Sequence, residues 1–337
     1  MLKIAIIGLG DIAHIHIPII ARYAQANLVA VCDVEPNIQI ENIEGVPYYE
    51  DYKTMIDEQQ IDCVHICLPH HLHQPVAAYC LSKNIHVFLE KPSGLNTKEA
   101  KQLAMQECES DAKICVCLQN RYNETVEALL AIKDSKQYGN VIGVKGLVTW
   151  HRPEAYYTAK PWRGQKAYAG GGVMINQALH TLDLMQLFGG KVERLQGTTA
   201  QFLPYHIDVE DTASAHLEFE HGVVGTFFAT NGYAINDSVE LQVLFERGQF
   251  TIKDSKLYEQ TDTEMPRFLV EDTKMPGAKF YYGASHKKLI EQFYQAIMED
   301  TKQYPTASDA VTVMEIIDAI QQSAQTKTYV AIGGTHV

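Results

Sequence analysis

A short apolar run that breaks into two glycines opens the chain: Lys3-Ile4-Ala5-Ile6-Ile7-Gly8-Leu9-Gly10-Asp11-Ile12-Ala13. Ile4 to Ile7 reads as a buried strand, and the spacing Gly8-x-Gly10-x-x-Ala13 suits a tight turn from a parallel strand into a helix. The first glycine permits the turn, and the second lets the backbone approach a pyrophosphate. Ala13 allows the helix to pack closely on the strand. Amides at the start of that helix, expected over 12–25, then face the phosphates. Gly8, Gly10, Asp11, Ile12 and Ala13 are therefore candidate cofactor contacts. The next strand, Leu28 to Cys32, ends at Asp33, about twenty residues past the glycines, where a carboxylate accepts from both ribose hydroxyls. It would repel a 2′-phosphate, and Val34-Glu35-Pro36 brings no arginine. NAD is the expected cofactor, with NADP as the alternative.

Continuous apolar strands alternate with helices through the first 120 residues or so. Strands are expected over 61–68, 85–89 and 114–118, and helices over 51–58, 74–83 and 98–110. Such a pattern means a parallel sheet covered on both faces. Past about residue 140 the texture becomes alternating, with antiparallel strands expected over 141–150, 192–202, 212–219, 223–230, 238–246 and 249–252. Gly222 and Arg247-Gly248 stand where hairpin turns belong. Helices return over 285–299 and 308–325. The fold class is α/β: an N-terminal doubly wound Rossmann domain over 1–120, then over 121–337 an α+β domain with a large open, mostly antiparallel sheet.

Composition narrows the partners. Net charge is −13, which argues against a nucleic-acid backbone, whose affinity needs clustered Lys and Arg. Seven cysteines fall in the first third or so of the chain. Their odd number and apolar surroundings favour buried thiols in a reducing compartment over disulfides or a zinc site. The sequence opens in a strand without a cationic leader, and no apolar run approaches the ~20 residues of a membrane span. A soluble, cytoplasmic protein is expected.

Two further segments carry chemistry. Leu68-Pro69-His70-His71-Leu72-His73 follows a strand, at the sheet edge where ligands of open α/β folds bind. Three histidines there lack a carboxylate or thiol to complete a metal site, so no metal is assigned. The second segment is Gly170-Gly171-Gly172-Val173-Met174-Ile175-Asn176-Gln177-Ala178-Leu179-His180. At ~100° per residue, a helix from about Gly172 brings Asn176, His180 and Asp183 within an arc of about 60°. Histidine titrates near neutrality and suits proton transfer. Asn176 can donate and accept a hydrogen bond but cannot take a proton. Asp183 either orients His180 or serves as a structural partner. The aromatic stretch around Tyr156, Tyr157 and Trp162 paves either a substrate site or an interface.

Glu90-Lys91-Pro92 ends the strand 85–89. With the glycine turn, Pro69, His73 and the Gly170–His180 segment, it makes the whole chain resemble the Gfo/Idh/MocA family of glucose-fructose oxidoreductase and inositol dehydrogenase relatives. The resemblance implies an NAD(P)-binding Rossmann domain and a substrate-binding C-terminal domain whose sheet forms a homodimer or homotetramer. It also implies a Lys91 beside nicotinamide and substrate, its cation held against a developing alkoxide. Leu68, Pro69, His70, His73, Glu90, Pro92, Asn120, Trp162 and Arg163 join the expected cofactor contacts, and Lys91, His180 and Asn176 the catalytic set. One departure is Asn176, where family members often carry Asp, and another is Ala178 in place of a later Gly. The expected activity is hydride transfer between nicotinamide and a secondary alcohol of a sugar, cyclic polyol or related compound. The alternatives are a redox-neutral NAD-dependent glycosidase of the same fold and a non-catalytic NAD-binding regulator.

Overall fold

The apolar runs near the N-terminus become buried parallel strands. In this computed structural model, which describes residues 1–35, 38, 40–260, 265–274 and 284–333, β1 (Leu2–Ile7) leads to α1 (Ala13–Arg22) and β2 (Ala26–Cys32). There follow β3 (Tyr48–Tyr49), α2 (Tyr52–Glu58), β4 (Cys63–Ile66), α3 (His73–Ser82), β5 (His86–Leu89), α4 (Thr97–Cys108) and β6 (Ile114–Val116). The strands run parallel in the order β3-β2-β1-β4-β5-β6. Connections reverse direction between β1 and β4, which puts the ligand-binding crevice of such sheets at the turn after β1. Ile4, Ile6, Val64, Ile66, Val87 and Leu89 have no exposed surface. Burial on both faces is why these runs show no polar alternation. Cys63, Cys67, Cys115 and Cys117 are buried on or beside this sheet, whereas Cys108 is exposed.

The second region contains α5 (Glu124–Ser135), β7 (Val141–Thr149), the short α6 (Glu154–Thr158), α7 (Lys166–Ala169) and α8 (Val173–Asn176), then α9 (Leu179–Gly189). Next come β8 (Val192–Ala200), β9 (Thr212–Phe219), β10 (Val224–Thr230), β11 (Glu240–Phe245), β12 (Gly248–Lys253), β13 (Lys256–Gln260) and β14 (Arg267–Glu271). The chain ends with α10 (Ser285–Met298), α11 (Ala307–Thr326) and β15 (Val330–Ala331). Nine strands pair in the order β14-β13-β12-β11-β7-β10-β9-β8-β15. The period-two pattern places Val144, Val148, Leu217, Phe227 and Val243 on a buried face and leaves His216, Val224 and Thr226 exposed on the other. A Cβ on Gly146 would lie 2.6 Å from Met185 Sδ, so this glycine lets α9 approach β7 closely. His221 and Gly222, both at positive φ, turn β9 into β10. The sheet is mostly antiparallel, as expected, and the β10–β7 pair is parallel, with Val224 opposite Gly143. Alternation of side chains is the same for either direction of pairing, and strands far apart in sequence carry no turn to reveal it.

The molecule divides into two units, Met1–Gln119 with Lys274–Val311, and Asn120–Thr273 with Thr312–Val337. The first unit thus takes in a segment from far along the chain. The apolar stripe of α10 explains the return. Phe293 packs on Phe88 with ring centroids 6.0 Å apart, and the buried Tyr294 hydroxyl meets His65 at 2.7 Å. Among the described residues no helix is long and apolar enough to cross a membrane.

Candidate active site

The glycine turn is built by close approach. Gly8 has φ +92°, and a Cβ there would lie 2.6 Å from the Cys67 carbonyl oxygen. Its amide donates to the Cys32 carbonyl at 2.8 Å, tying the turn to β2. Asp33 stands at the end of that strand, and its carboxylate accepts from Leu9 N at 2.6 Å and Glu35 N at 3.0 Å. Pro36, part of the argument against NADP, lies outside the described residues. Asp51 and Asn96 cap α2 and α4 with side-chain oxygens, whereas α1 has no side-chain cap at Ile12. Within the turn itself, Ala13 N donates to the Gly10 carbonyl at 3.0 Å and Ile15 N to the Ile12 carbonyl at 2.9 Å. Gly8, Gly10, Asp11, Ile12, Ala13 and Asp33 form one edge of the first unit, and this donor–acceptor set fits a dinucleotide.

The loops after β4 and β5 lie at the same carboxyl edge of the sheet. His73 is buried, with Nδ1 2.7 Å from the Pro92 carbonyl and Nε2 2.7 Å from the Leu68 carbonyl. Its ring clamps the two loops together, so its part in a cofactor site is to hold Leu68, Pro69 and Pro92 in place. Burial lowers its pKa, and the two carbonyl oxygens oppose this. His70 is also buried, its ring centroid 5.6 Å from that of His73. Lys91 is half-buried, and burial pushes its pKa down to about 8, with Glu90 and Cys117 acting in the opposite sense. Glu90 stands just before Lys91 in sequence. Its carboxylate turns into the unit's interior, 2.9 Å from His16 Nε2 and 3.6 Å from His286 Nε2.

In the second unit the glycine triplet has a structural cause. Gly170, at φ +81°, ends α7, and a Cβ on Gly172 would lie 1.8 Å from the Glu210 carbonyl oxygen. Val173 N donates to that carbonyl at 2.9 Å, and Met174 N to the Glu210 carboxylate at 3.2 Å. The helix expected from Gly172 is broken in two, α8 and α9. Ala178 N reaches back five residues to the Val173 carbonyl at 2.9 Å, a widened turn that removes Asn176 from the regular arc with His180. Gln177, inside the break, donates to Tyr156 Oη at 3.0 Å and accepts from Asn231 at 3.0 Å, and Asn231 also donates to Tyr157 Oη at 3.1 Å. Tyr156 and Tyr157 thus brace the segment carrying Asn176 and His180. Asp183 is buried and receives both arms of Arg121, at 2.9 and 2.6 Å. It fixes the segment beginning at Asn120 to α9, which favours the structural role. Trp162 and Arg163 are half-buried in a tight turn, the Arg163 guanidinium 4.3 Å from the Tyr156 ring centroid.

Sequence reasoning did not single out His16, His286 or Tyr294. The available signals were a histidine among the apolar positions of α1 and a pair of polar residues on the buried stripe of α10.

Comparison with known proteins agrees with both halves of the chain. Residues 2–118 match the oxidoreductase family model described as an NAD-binding Rossmann fold, and residues 126–251 match the GFO/IDH/MocA C-terminal domain. The chain belongs to the GFO/IDH/MocA family. A GFO/IDH/MocA relative, levoglucosan dehydrogenase of Pseudarthrobacter phenanthrenivorans, is 23% identical over 94% of this chain and 90% of its own length. Myo-inositol 2-dehydrogenase of Thermotoga maritima is 22% identical over 90% of this chain and 87% of its own. The same fold is seen in the WlbA dehydrogenase of Bordetella pertussis, solved with NADH and UDP-GlcNAcA. That structure has a TM-score of 0.84 and 24% identity, covering 99% of each chain. The protein is thus an oxidoreductase with an NAD-binding Rossmann unit.

Proposed function

We propose that this protein is an NAD-dependent dehydrogenase acting on a secondary alcohol of a sugar, cyclic polyol or related compound, with Lys91 and His180 as its catalytic residues. The observation that carries the proposal is Lys91, placed at the end of β5 in the unit that also holds the Gly8–Asp33 frame, with its ammonium group destabilised toward neutrality. Relatives named for levoglucosan and myo-inositol support a hydroxyl-rich substrate. Bound nicotinamide supplies the hydride acceptor. Gly8, Gly10, Asp11, Ile12 and Ala13 would hold the pyrophosphate and Asp33 the ribose, with Leu68, Pro69, His70, Glu90, Pro92, Asn120, Trp162 and Arg163 contributing from their loops. Lys91 presents a cation to the substrate oxygen as negative charge develops. His180 takes the hydroxyl proton, and returns one in the reverse direction. Asn176 donates to and accepts from a neighbouring hydroxyl without changing charge. The named dehydrogenases among the relatives give no support to a redox-neutral glycosidase or a regulator without turnover. A cytoplasmic homodimer or homotetramer joined through the open face of the nine-stranded sheet completes the proposal, and light scattering of the purified protein measures its mass.

The test is an anaerobic screen at 340 nm of NAD and NADP against sugars, inositols and sugar nucleotides. Reduction with one hydroxyl compound is the expected result. Tight NAD binding with no reduction by any of them would refute the dehydrogenase. Asp33→Ala should weaken NAD binding about tenfold or more and narrow the preference over NADP, as loss of a charge-assisted hydrogen-bond acceptor implies. Calorimetric titration of both cofactors checks this, and a wild type that binds NADP better would reverse the cofactor assignment. The lysine's titration also sets a pH limit. Its pKa is lowered from 10.5 to about 8, so the ammonium is present below about 8 and lost above it. Alcohol oxidation should accordingly fall on the alkaline side with a midpoint near 8, read from the pH dependence of kcat/KM.

A further inference from the structure

Four polar side chains from distant parts of the sequence meet inside the first unit. Tyr294 Oη lies 2.7 Å from His65 Nε2, His65 Nδ1 2.8 Å from His16 Nδ1, and His16 Nε2 2.9 Å from Glu90 Oε1. His16 and His65 have no exposed surface and Glu90 is 8% exposed. Phe88 stacks on His65 with centroids 4.8 Å apart, so the chain is walled by apolar surface.

Hydrogen-bond arithmetic fixes its polarity. Burial holds both imidazoles neutral by lowering their pKa values. Burial works against the charged form of Glu90, but the hydrogen bond from His16 and the nearby His286 outweigh it and keep the carboxyl well below the usual range. An ionised Glu90 can only accept, so His16 must donate from Nε2, which leaves its Nδ1 as an acceptor. His65 must then donate from Nδ1 and accept at Nε2, and the Tyr294 hydroxyl donates there. All three hydrogen bonds are made by this one arrangement. The opposite polarity needs a proton on Glu90 and strands the Tyr294 hydroxyl proton, whose one hydrogen-bond partner among the described residues is His65.

We propose that His16 is a positioning residue for Lys91: with its tautomer set by His65 and Tyr294, it anchors Glu90, the residue next to the lysine in sequence, as a buried anion. The proposal rests on the reading of Lys91 as the residue that meets the substrate oxygen. A buried anion one residue away supports the ammonium form against the cost of burial. The other titratable groups near Glu90 include His286 from α10, Cys67 after β4, Cys115 on β6, Cys117 after β6, and His73 from α3. The thiols are held protonated by burial, so Glu90 is the anion of the group.

The test uses the full chain with His16→Phe, Glu90→Gln and the double variant, reading the Lys91 pKa by NMR of the labelled side chain and by the alkaline limb of the pH–rate profile. Glu90→Gln should lower the Lys91 pKa by about one unit, a tenfold change in the amine-to-ammonium ratio. His16→Phe should lower it in the same direction by roughly half a unit or more, because an unanchored carboxylate gains protons in the interior. In the Glu90→Gln background, His16→Phe should add nothing to that shift; with Glu90 intact, His16→Gln, which retains an N–H donor, should shift the lysine less than His16→Phe does. Tyr294→Phe should move the lysine in the same sense but less. Additive shifts, or an unchanged Lys91 pKa in a folded His16→Phe protein, would leave His16 merely structural and overturn the proposal. Stoichiometric zinc in the purified protein, lost on His286→Ala, would also overturn it, since a metal on His16, Glu90 and His286 would replace the His16–Glu90 hydrogen bond. Full turnover in Lys91→Ala would refute the catalytic reading of Lys91 instead, while the NMR-detected coupling to Glu90 would still stand or fall by itself.

Discussion

Replacing Lys91 by alanine is expected to lower turnover about a hundredfold or more, the loss typical when one acid–base or charge-stabilising group is removed. That factor corresponds to roughly 2.7 kcal/mol of transition-state stabilisation. The reason is local. Lys91 ends a buried strand, and burial has already brought its pKa down to about 8, so its ammonium is poorly hydrated and available to a developing alkoxide. His180→Ala should cost a similar factor while leaving NAD affinity nearly unchanged, because His180 belongs to the second unit and the Gly8–Asp33 frame to the first. Steady-state kinetics with both variants, alongside cofactor titration, check the pair. Wild-type turnover in His180→Ala would remove that histidine from the mechanism.

The second large effect is on stability. Gly172→Ala puts a methyl group 1.8 Å from the Glu210 carbonyl oxygen, a contact no side-chain rotation relieves because the obstacle is backbone. Either the Gly172 segment or the Glu210 segment must move, breaking the bonds from Val173 N and Met174 N to Glu210. We expect a loss of about 3 kcal/mol or more, lowering the Tm of the second unit by roughly 6–12 °C. Activity should fall further than stability alone requires, since the displaced segment carries Asn176 and His180. A calorimetric scan measures the first effect, and assay well below the new Tm measures the second. Gly222→Ala is a contrasting control: it meets no atom within 4 Å and carries only the strain of φ +77°.

How much of this was legible in the sequence depended on how local the physics was. The cofactor frame is local: Gly8, Ala13 and Asp33 lie within one βαβ unit, and each residue type is demanded by its own backbone position. Asp33 does sit beside the glycine turn, bonded to Leu9 N at 2.6 Å. The two-layer texture was equally legible, because burial on both faces of a sheet and burial on one face leave different periodicities. What escaped was non-local. The Tyr294–His65 bond joins residues 229 positions apart, and nothing near either residue announces the other. The return of Lys274–Val311 to the first unit hid for the same reason. The break between α8 and α9 was missed because Gln177 and Ala178 are ordinary helix residues. The Gln177 bonds to Tyr156 and Asn231 brace the break, and neither partner is a near neighbour in sequence. The glycine triplet was visible as a motif, yet its cause, the crossing by Glu210, is a tertiary contact.

The most direct test of the account is a transfer experiment. A hydroxyl compound oxidised in the screen would be resynthesised with deuterium on its carbinol carbon and incubated with enzyme and NAD, and the nicotinamide product analysed by mass spectrometry. The account predicts one deuterium on the reduced nicotinamide for each alcohol oxidised, with the transfer rate reduced a hundredfold or more in Lys91→Ala. Deuterium retained in the organic product, with no accumulation of labelled reduced cofactor, would contradict a dehydrogenase.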